Sequence, residues 1–195
     1  FGHPASNSFP GELLERLTKE INILSTNDDV SVVILKSEGN KAFCAGASFG
    51  ELIAINNLSE GEQFFTGFAN VLNAMRNCSK LIVGRVQGKA VGGGVGLIAG
   101  CDYVIATDKA AIKLSEFTIG IGPFVIAPAI ERKMGVAGLA ELTLDATTWK
   151  NAYWAKEKGL YAKVLDSEKD LDNEIEILAE KLASYNPSAL SEMKK

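Results

Sequence analysis

Apolar positions fall at helical spacing near both ends of the chain and in short unbroken runs between them. Ser8-Phe9-Pro10 reads as a helix start, since proline is tolerated in a first turn. Leu13, Leu14, Leu17, Ile21 and Leu24 then repeat along one face. The turn Asn27-Asp28-Asp29 leads into Val30 to Lys36, a β-branched apolar run that predicts a buried strand. A compact, small-residue segment, Ala42 to Ser48, follows. Ser59-Glu60-Gly61-Glu62 has the pattern of a capping box and predicts a helix to about Cys78. Its apolar face is Phe64, Phe65, Phe68, Val71, Leu72 and Met75, with the three phenylalanines read as core and pocket lining as the alternative. Leu81 to Val86 is a second buried strand, and Val95 to Ala99 a short helix after Gly92-Gly93-Gly94. Tyr103 to Ala106 and Ala111 to Leu114 read as short strands. A turn and helix between Pro123 and Met134, a helix Asn151 to Lys158 ended by Gly159, a long amphipathic helix from about Glu168 to Ser184 and another from Pro187 complete the chain. Strands separated by helices predict an α/β fold with right-handed crossovers.

A length of 195 residues without linker or repeat predicts one domain over 1–195. Acidic residues outnumber basic ones, 24 to 20, which argues against a nucleic-acid surface. The most apolar stretch, Leu81 to Ala106, is interrupted by Arg85, Lys89 and Asp102 and rich in glycine, so it is not read as a membrane span. Cys44, Cys78 and Cys101 fit no metal spacing, and their odd number suggests a reducing, cytoplasmic setting. The single histidine, His3, stands at the chain's edge, which excludes most chemistry built on a buried imidazole.

Three short patterns compete for the chemistry. Gly46-Ala47-Ser48-Phe49-Gly50 matches the G-x-S-x-G nucleophile elbow, but a base usually follows the serine and the only histidine precedes it. Gly94-Val95-Gly96 with Gly100, and Glu116 about twenty residues on, resembles a stretched dinucleotide fingerprint whose helix would be too short. Gly88-Lys89-Ala90 lacks the hydroxyl residue of a phosphate loop. The third reading pairs the turns Ala45-Gly46-Ala47 and Gly92-Gly93-Gly94, each following a buried strand. Small residues there leave backbone N–H groups uncovered, and two of them converging on one carbonyl oxygen form an oxyanion hole. Glycines that merely permit close helix–strand packing are the plain alternative.

Ala42-Phe43-Cys44-Ala45-Gly46-Ala47-Ser48 is similar to the A-F-x-A-G-A-D turn of the enoyl-CoA hydratase/isomerase (crotonase) superfamily. Val86-Gln87-Gly88-Lys89-Ala90-Val91-Gly92-Gly93-Gly94-Val95-Gly96-Leu97 resembles its V-x-G-x-A-x-G-G-G-x-x-L segment. Cys101 to Ala106, Leu114-Ser115-Glu116 and Ile119-Gly120-Ile121-Gly122-Pro123 continue the likeness, from roughly Phe9 to Pro187. The resemblance implies a crotonase-like ββα spiral with flanking helices. It implies a chain lacking an N-terminal strand and C-terminal helices, and assembly as a homotrimer or homohexamer. It implies an acyl-CoA substrate, with no metal and no cofactor beyond the coenzyme A of that substrate. The amides of Ala47 and Gly93 would hold the thioester oxygen, and Glu116 would be the acid–base. Ala45, Ser48, Gly92 and Gly96 would complete the substrate contacts.

Two departures stand out. Ser48 replaces the usual aspartate of the first turn, and Gly96 stands where hydratases of this kind carry a second glutamate. Leu114-Ser115-Glu116 with Gly96 looks like the methylglutaconyl-CoA hydratase-like branch. Hydration of a 2-enoyl thioester is the leading expectation. Isomerisation of a 3-enoyl to a 2-enoyl thioester is second, and a catalytically silent acyl-CoA binding subunit the alternative of another class. Glu51 is expected to edge the pocket, and Asp102 to bond nearby backbone.

Overall fold

The computed structural model describes residues 1–194. Two four-stranded sheets share the strands almost alternately. The first runs β1 (Val32–Lys36), β3 (Leu81–Val86), β5 (Tyr103–Thr107) and β8 (Lys163–Leu165), all parallel. The second runs β2 (Ala42–Cys44), β4 (Lys89–Val91), β6 (Ala111–Lys113) and β7 (Lys150–Asn151), with only the last pair antiparallel. In each early turn of the chain one strand enters the first sheet, the next enters the second, and helices carry the chain back. This is the ββα spiral. β3 is buried at every position, Arg85 included, as befits a strand between two neighbours. Its Arg85 reaches Asp172 (2.5 Å) and Glu168 (3.5 Å), which tie α7 (Glu168–Ala183) to the sheet.

The helices are α1 (Gly11–Thr26), α2 (Phe49–Ile53), α3 (Leu58–Asn77), α4 (Gly93–Gly100), α5 (Ala127–Leu144), α6 (Ala152–Glu157), α7 and α8 (Pro187–Lys194). From Gly94 to Gly100, α4 is buried throughout, so its glycines and alanine let neighbouring elements approach from every side. Several boundaries differ from the sequence reading, for local reasons. The capping box lies two residues earlier than expected. Asn57 Oδ1 accepts from the Glu60 N–H (3.0 Å), and the Glu60 carboxylate accepts from the Asn56 N–H (2.8 Å). Phe9 does not begin a helix. It forms a buried parallel bridge to Ala47, and α1 starts after Pro10. α5 is two helical pieces in line: Gly135, at φ 70° and ψ 171°, is not helical, so the first piece ends at Met134 as read, and a second, not foreseen, carries on to Leu144. Strands β2, β4, β7 and β8 and helix α2 are not foreseen by the hydrophobic pattern, since two to five residues carry no periodicity.

Asp102 accepts from the Ile82 N–H (2.7 Å), the backbone role expected of it, and also pairs with Lys194 (2.9 Å), which docks α8. Among the described residues no helix is long and apolar enough to cross a membrane. Among them, too, no cluster of three His, Cys, Asp or Glu side chains could hold a metal ion.

Candidate active site

Residues 45–48 are held from behind by the first ten residues of the chain. The Ala45 N–H donates to Ser6 (3.1 Å), Phe9 N–H donates to the Gly46 carbonyl (2.8 Å), and Ser48 N–H donates to the Phe9 carbonyl (3.0 Å). A parallel bridge of this kind uses the N–H of the residue after Ala47 and the carbonyl of the residue before it. The Ala47 N–H therefore points the other way, away from Phe9. Gly46, at φ 86°, turns the chain here. A methyl group in its place would stand 2.8 Å from the Val91 carbonyl oxygen and 3.3 Å from the Gly93 nitrogen. The first turn thus lies directly against the second.

Gly92 makes the second turn, with φ 53° and ψ −120°. Its N–H donates to Lys113 (3.0 Å), and its carbonyl accepts from Val95 (2.8 Å) and Gly96 (3.2 Å), which starts α4. Gly93 is the first residue of that helix, so its N–H is one of the first-turn donors with no partner inside it. Among the described residues, no backbone hydrogen bond uses the amide of Ala47 or of Gly93. A side chain at Gly93 would collide with the Phe68 ring, 2.4 Å from a methyl.

Glu116 faces these turns from a third element. It opens the 3-10 turn Glu116–Ile119, closed by Gly120 at φ 79°. Its Oε1 lies 2.8 Å from the point a methyl on Gly92 would occupy, so the carboxyl group rests against the second turn. Its Oε2 is buried and has no hydrogen-bond partner. Burial lifts its pKa above the ordinary carboxylate value, partly opposed by a hydrogen bond from its own backbone. The three elements line a cavity of about 170 Å³, together with residues of α2, α3 and the segment 121–126. An uncovered amide pair stabilises negative charge on an oxygen, and a desolvated carboxyl moves protons near neutral pH.

The structure brings Ala45, Ala47, Gly92, Gly93 and Glu116 to this cavity. Ser48 and Gly96, also expected there, are not among its lining residues. Ser48 caps α2 instead, its Oγ accepting from the Glu51 N–H (3.3 Å). Gly96 is buried under α5, where a methyl would sit 2.5 Å from Ile126 Cγ2, so an isoleucine fills the space a side chain at 96 would need. Glu51 does not edge this cavity; its carboxylate accepts from the Gly11 N–H (3.0 Å) and caps α1. Phe64 and Phe65, read as core, line the cavity with Phe68, and of the three only Phe68 is fully buried.

Sequence reasoning also missed Phe49, Leu52 and the wall from Ile119 to Ile126. Only the quoted Ile119 to Pro123 likeness pointed there. His3 bonds Ser8 Oγ (3.2 Å), so Gly46 to Gly50 contains no serine–histidine pair. Cys44 and Cys101 are packed thiols, their pKa values pushed up to about 12 by burial.

The ββα spiral, with two uncovered turn amides and a buried carboxyl at one apolar cavity, is an arrangement of crotonase type. The family model for enoyl-CoA hydratase/isomerase matches residues 1–195, and the chain belongs to that family. The peroxisomal Delta(3,5)-Delta(2,4)-dienoyl-CoA isomerase of Arabidopsis thaliana is 30% identical over 188 residues, 89% of this chain and 66% of that protein. The mitochondrial methylglutaconyl-CoA hydratase of Rattus norvegicus is 30% identical over 167 residues, 85% of this chain and 52% of that protein. The chain thus spans between half and two thirds of these relatives. The crystal structure of an enoyl-CoA hydratase from Bacillus anthracis superposes with a TM-score of 0.89 at 30% identity, covering 96% of this chain and 72% of the other.

Proposed function

We propose that this chain hydrates a 2-enoyl-CoA thioester through an enolate. One observation carries the reading: the desolvated carboxyl of Glu116, its Oε2 without a hydrogen-bond partner, lies in the same cavity as Ala47 and Gly93, whose amides no backbone hydrogen bond uses among the described residues. Glu116 takes a proton from water as the water oxygen bonds to C3. The C2=C3 electron pair moves onto the thioester oxygen, where the two amides hold the charge. As the thioester carbonyl re-forms, C2 takes the proton from Glu116. Water has then been added across the double bond and the carboxylate is restored. Each amide donor contributes about 3–4 kcal/mol to such a transition state.

One observation favours a second reading. Among the described residues Glu116 is the only acidic or basic side chain lining the cavity, and the space at Gly96 is filled by Ile126. A single carboxylate suffices to take a proton from C2 of a 3-enoyl thioester and return it to C4. Loss of the 2-enoyl absorbance with 2-butenoyl-CoA supports hydration. Gain of that absorbance from 3-hexenoyl-CoA alone supports isomerisation. Binding of both without turnover supports a silent acyl-CoA binding subunit. The same reading has the protein act in fatty-acid metabolism in the cytoplasm as a homotrimer or homohexamer. Light scattering of the purified full-length protein tests the assembly.

A further inference from the structure

Two serines stand just ahead of turns at this end of the molecule, and they are used differently. Ser48 caps α2, its Oγ accepting from the Glu51 N–H (3.3 Å). Ser115 holds the equivalent place ahead of the 3-10 turn Glu116–Ile119, and its side chain caps nothing. A serine there ordinarily lends its hydroxyl to a free N–H of the turn that follows. Here the backbone has taken that donor. The Thr118 N–H (3.0 Å) and the Thr118 hydroxyl (2.6 Å) both donate to the Ser115 carbonyl. The residue is thus pinned through its main chain, and among the described residues its Oγ makes no hydrogen bond. Ser115 is half-buried and lines the cavity, where it and Glu116 are the only described residues with polar side chains. The Gly92 N–H donates to the Lys113 carbonyl (3.0 Å), two residues before Ser115, and so ties this segment to the second turn.

We infer that the Ser115 hydroxyl positions the water that attacks C3. The inference rests on the hydration reading above and deepens it. Water added across C2=C3 gives one proton to Glu116 and keeps the other in the new hydroxyl at C3. A carboxylate alone accepts from either O–H and leaves the water free to turn about that bond. With Ser115 Oγ as a second acceptor, the hydrogen that stays is held there, the other points at Glu116, and a lone pair is left for C3. Ser115 keeps its own proton throughout, so its part is orientation and not proton transfer. A hydroxyl released from capping but fixed through its backbone suits that part, because it is held in place before the water arrives. Removal of a proton from C2 of a saturated thioester needs the two amides and Glu116 but no attacking water, and this separates Ser115 from the rest of the site.

Two rates of the full-length protein test this. One is hydration of 2-butenoyl-CoA, read as loss of its absorbance. The other is exchange of the C2 protons of butyryl-CoA in deuterium oxide, read by NMR. Ser115→Ala is expected to lower kcat for hydration about tenfold, the scale of one lost hydrogen bond. The same variant is expected to keep KM within about twofold, since the water and not the thioester loses a partner. Its exchange rate is expected to stay within about twofold of wild type, as for a group outside that step. Ser115→Thr, which retains the hydroxyl, is expected to hydrate within about threefold of wild type. Hydration unchanged in Ser115→Ala overturns the inference and leaves the hydration reading standing. Hydration and exchange falling together do the same, because they mark a packing role, and so does Ser115→Thr as slow as Ser115→Ala. A wild-type protein that binds 2-butenoyl-CoA and adds no water to it refutes the hydration reading and this inference with it.

Discussion

Gly46→Ala separates backbone conformation from contact between the two turns, because Gly39 provides a matched control. Both glycines have positive φ, 86° and 75°. An alanine at Gly39 would meet nothing within 4 Å, whereas one at Gly46 would stand 2.8 Å from the Val91 carbonyl oxygen and 3.3 Å from the Gly93 nitrogen. The conformational cost is ~1–3 kcal/mol at either site. Forced contact with backbone adds ~1–3 kcal/mol at Gly46 alone. Urea unfolding should therefore place Gly46→Ala below Gly39→Ala by ~1–3 kcal/mol. The activity difference should be larger. On the proposed mechanism, relief of the clash pushes residues 46–47 away from 91–93 and misplaces one of the two donors, and a lost donor costs about 10²–10³ in kcat. Gly39→Ala should change kcat by no more than about twofold, as an ordinary surface substitution does. Equal stabilities, or kcat preserved in Gly46→Ala, would refute the claim that contact between these turns sets the donor geometry.

Glu116→Gln should lower kcat at least about 10²-fold in whichever enoyl-CoA assay the wild type supports. The same variant bears on stability. Burial raises the pKa of Glu116 in the folded state, so its favourable contribution is present in acid and is lost as pH rises through that raised value. Thermal melts of Glu116→Gln should accordingly match wild type near pH 4 and exceed it near pH 8, a gap set by general linkage. A constant gap at both pH values would argue against a desolvated carboxyl. The kcat/KM profile should fall on the acid side with an apparent pKa above the ordinary carboxylate value, because the base must be ionised to begin either reaction. Gly96→Glu should destabilise by ~1–3 kcal/mol or more, since the side chain would collide with Ile126. Pairing it with Ile126→Ala should recover part of that loss in chemical denaturation.

The site is legible in the sequence to the extent that it depends on backbone. Gly46 and Gly92–Gly94 stand out because only glycine tolerates those approaches, and Glu116 follows from its likeness to the family motif. The cavity walls are illegible for a complementary reason. Phe64, Phe65 and Phe68 share helical spacing with a core face, and periodicity does not distinguish a face against a core from one against a cavity. Ser48 misleads because its hydroxyl serves its own helix. Gly96 misleads because likeness to a motif carries over the role of a position without the neighbour, here Ile126, that fills it. Among the elements, β3 matches its predicted run to the residue, for its six residues are all buried. β7, with two residues, exists only because β6 pairs with it.

The clamp of Ser6 and Phe9 on the first turn makes the proposed Ala47 donor a product of tertiary closure. Asn7 strengthens the clamp, donating to the Glu38 and Ala42 carbonyls at 2.8 and 3.0 Å. The opening residues of the chain thus work as a brace, and the amide they aim lies more than thirty positions downstream. On the proposed mechanism, proteolytic nicking ahead of α1 is expected to lower turnover by loosening the first turn. Enzymatic rate is thereby a more sensitive gauge of the docking of these first residues than any bulk measure of helix content.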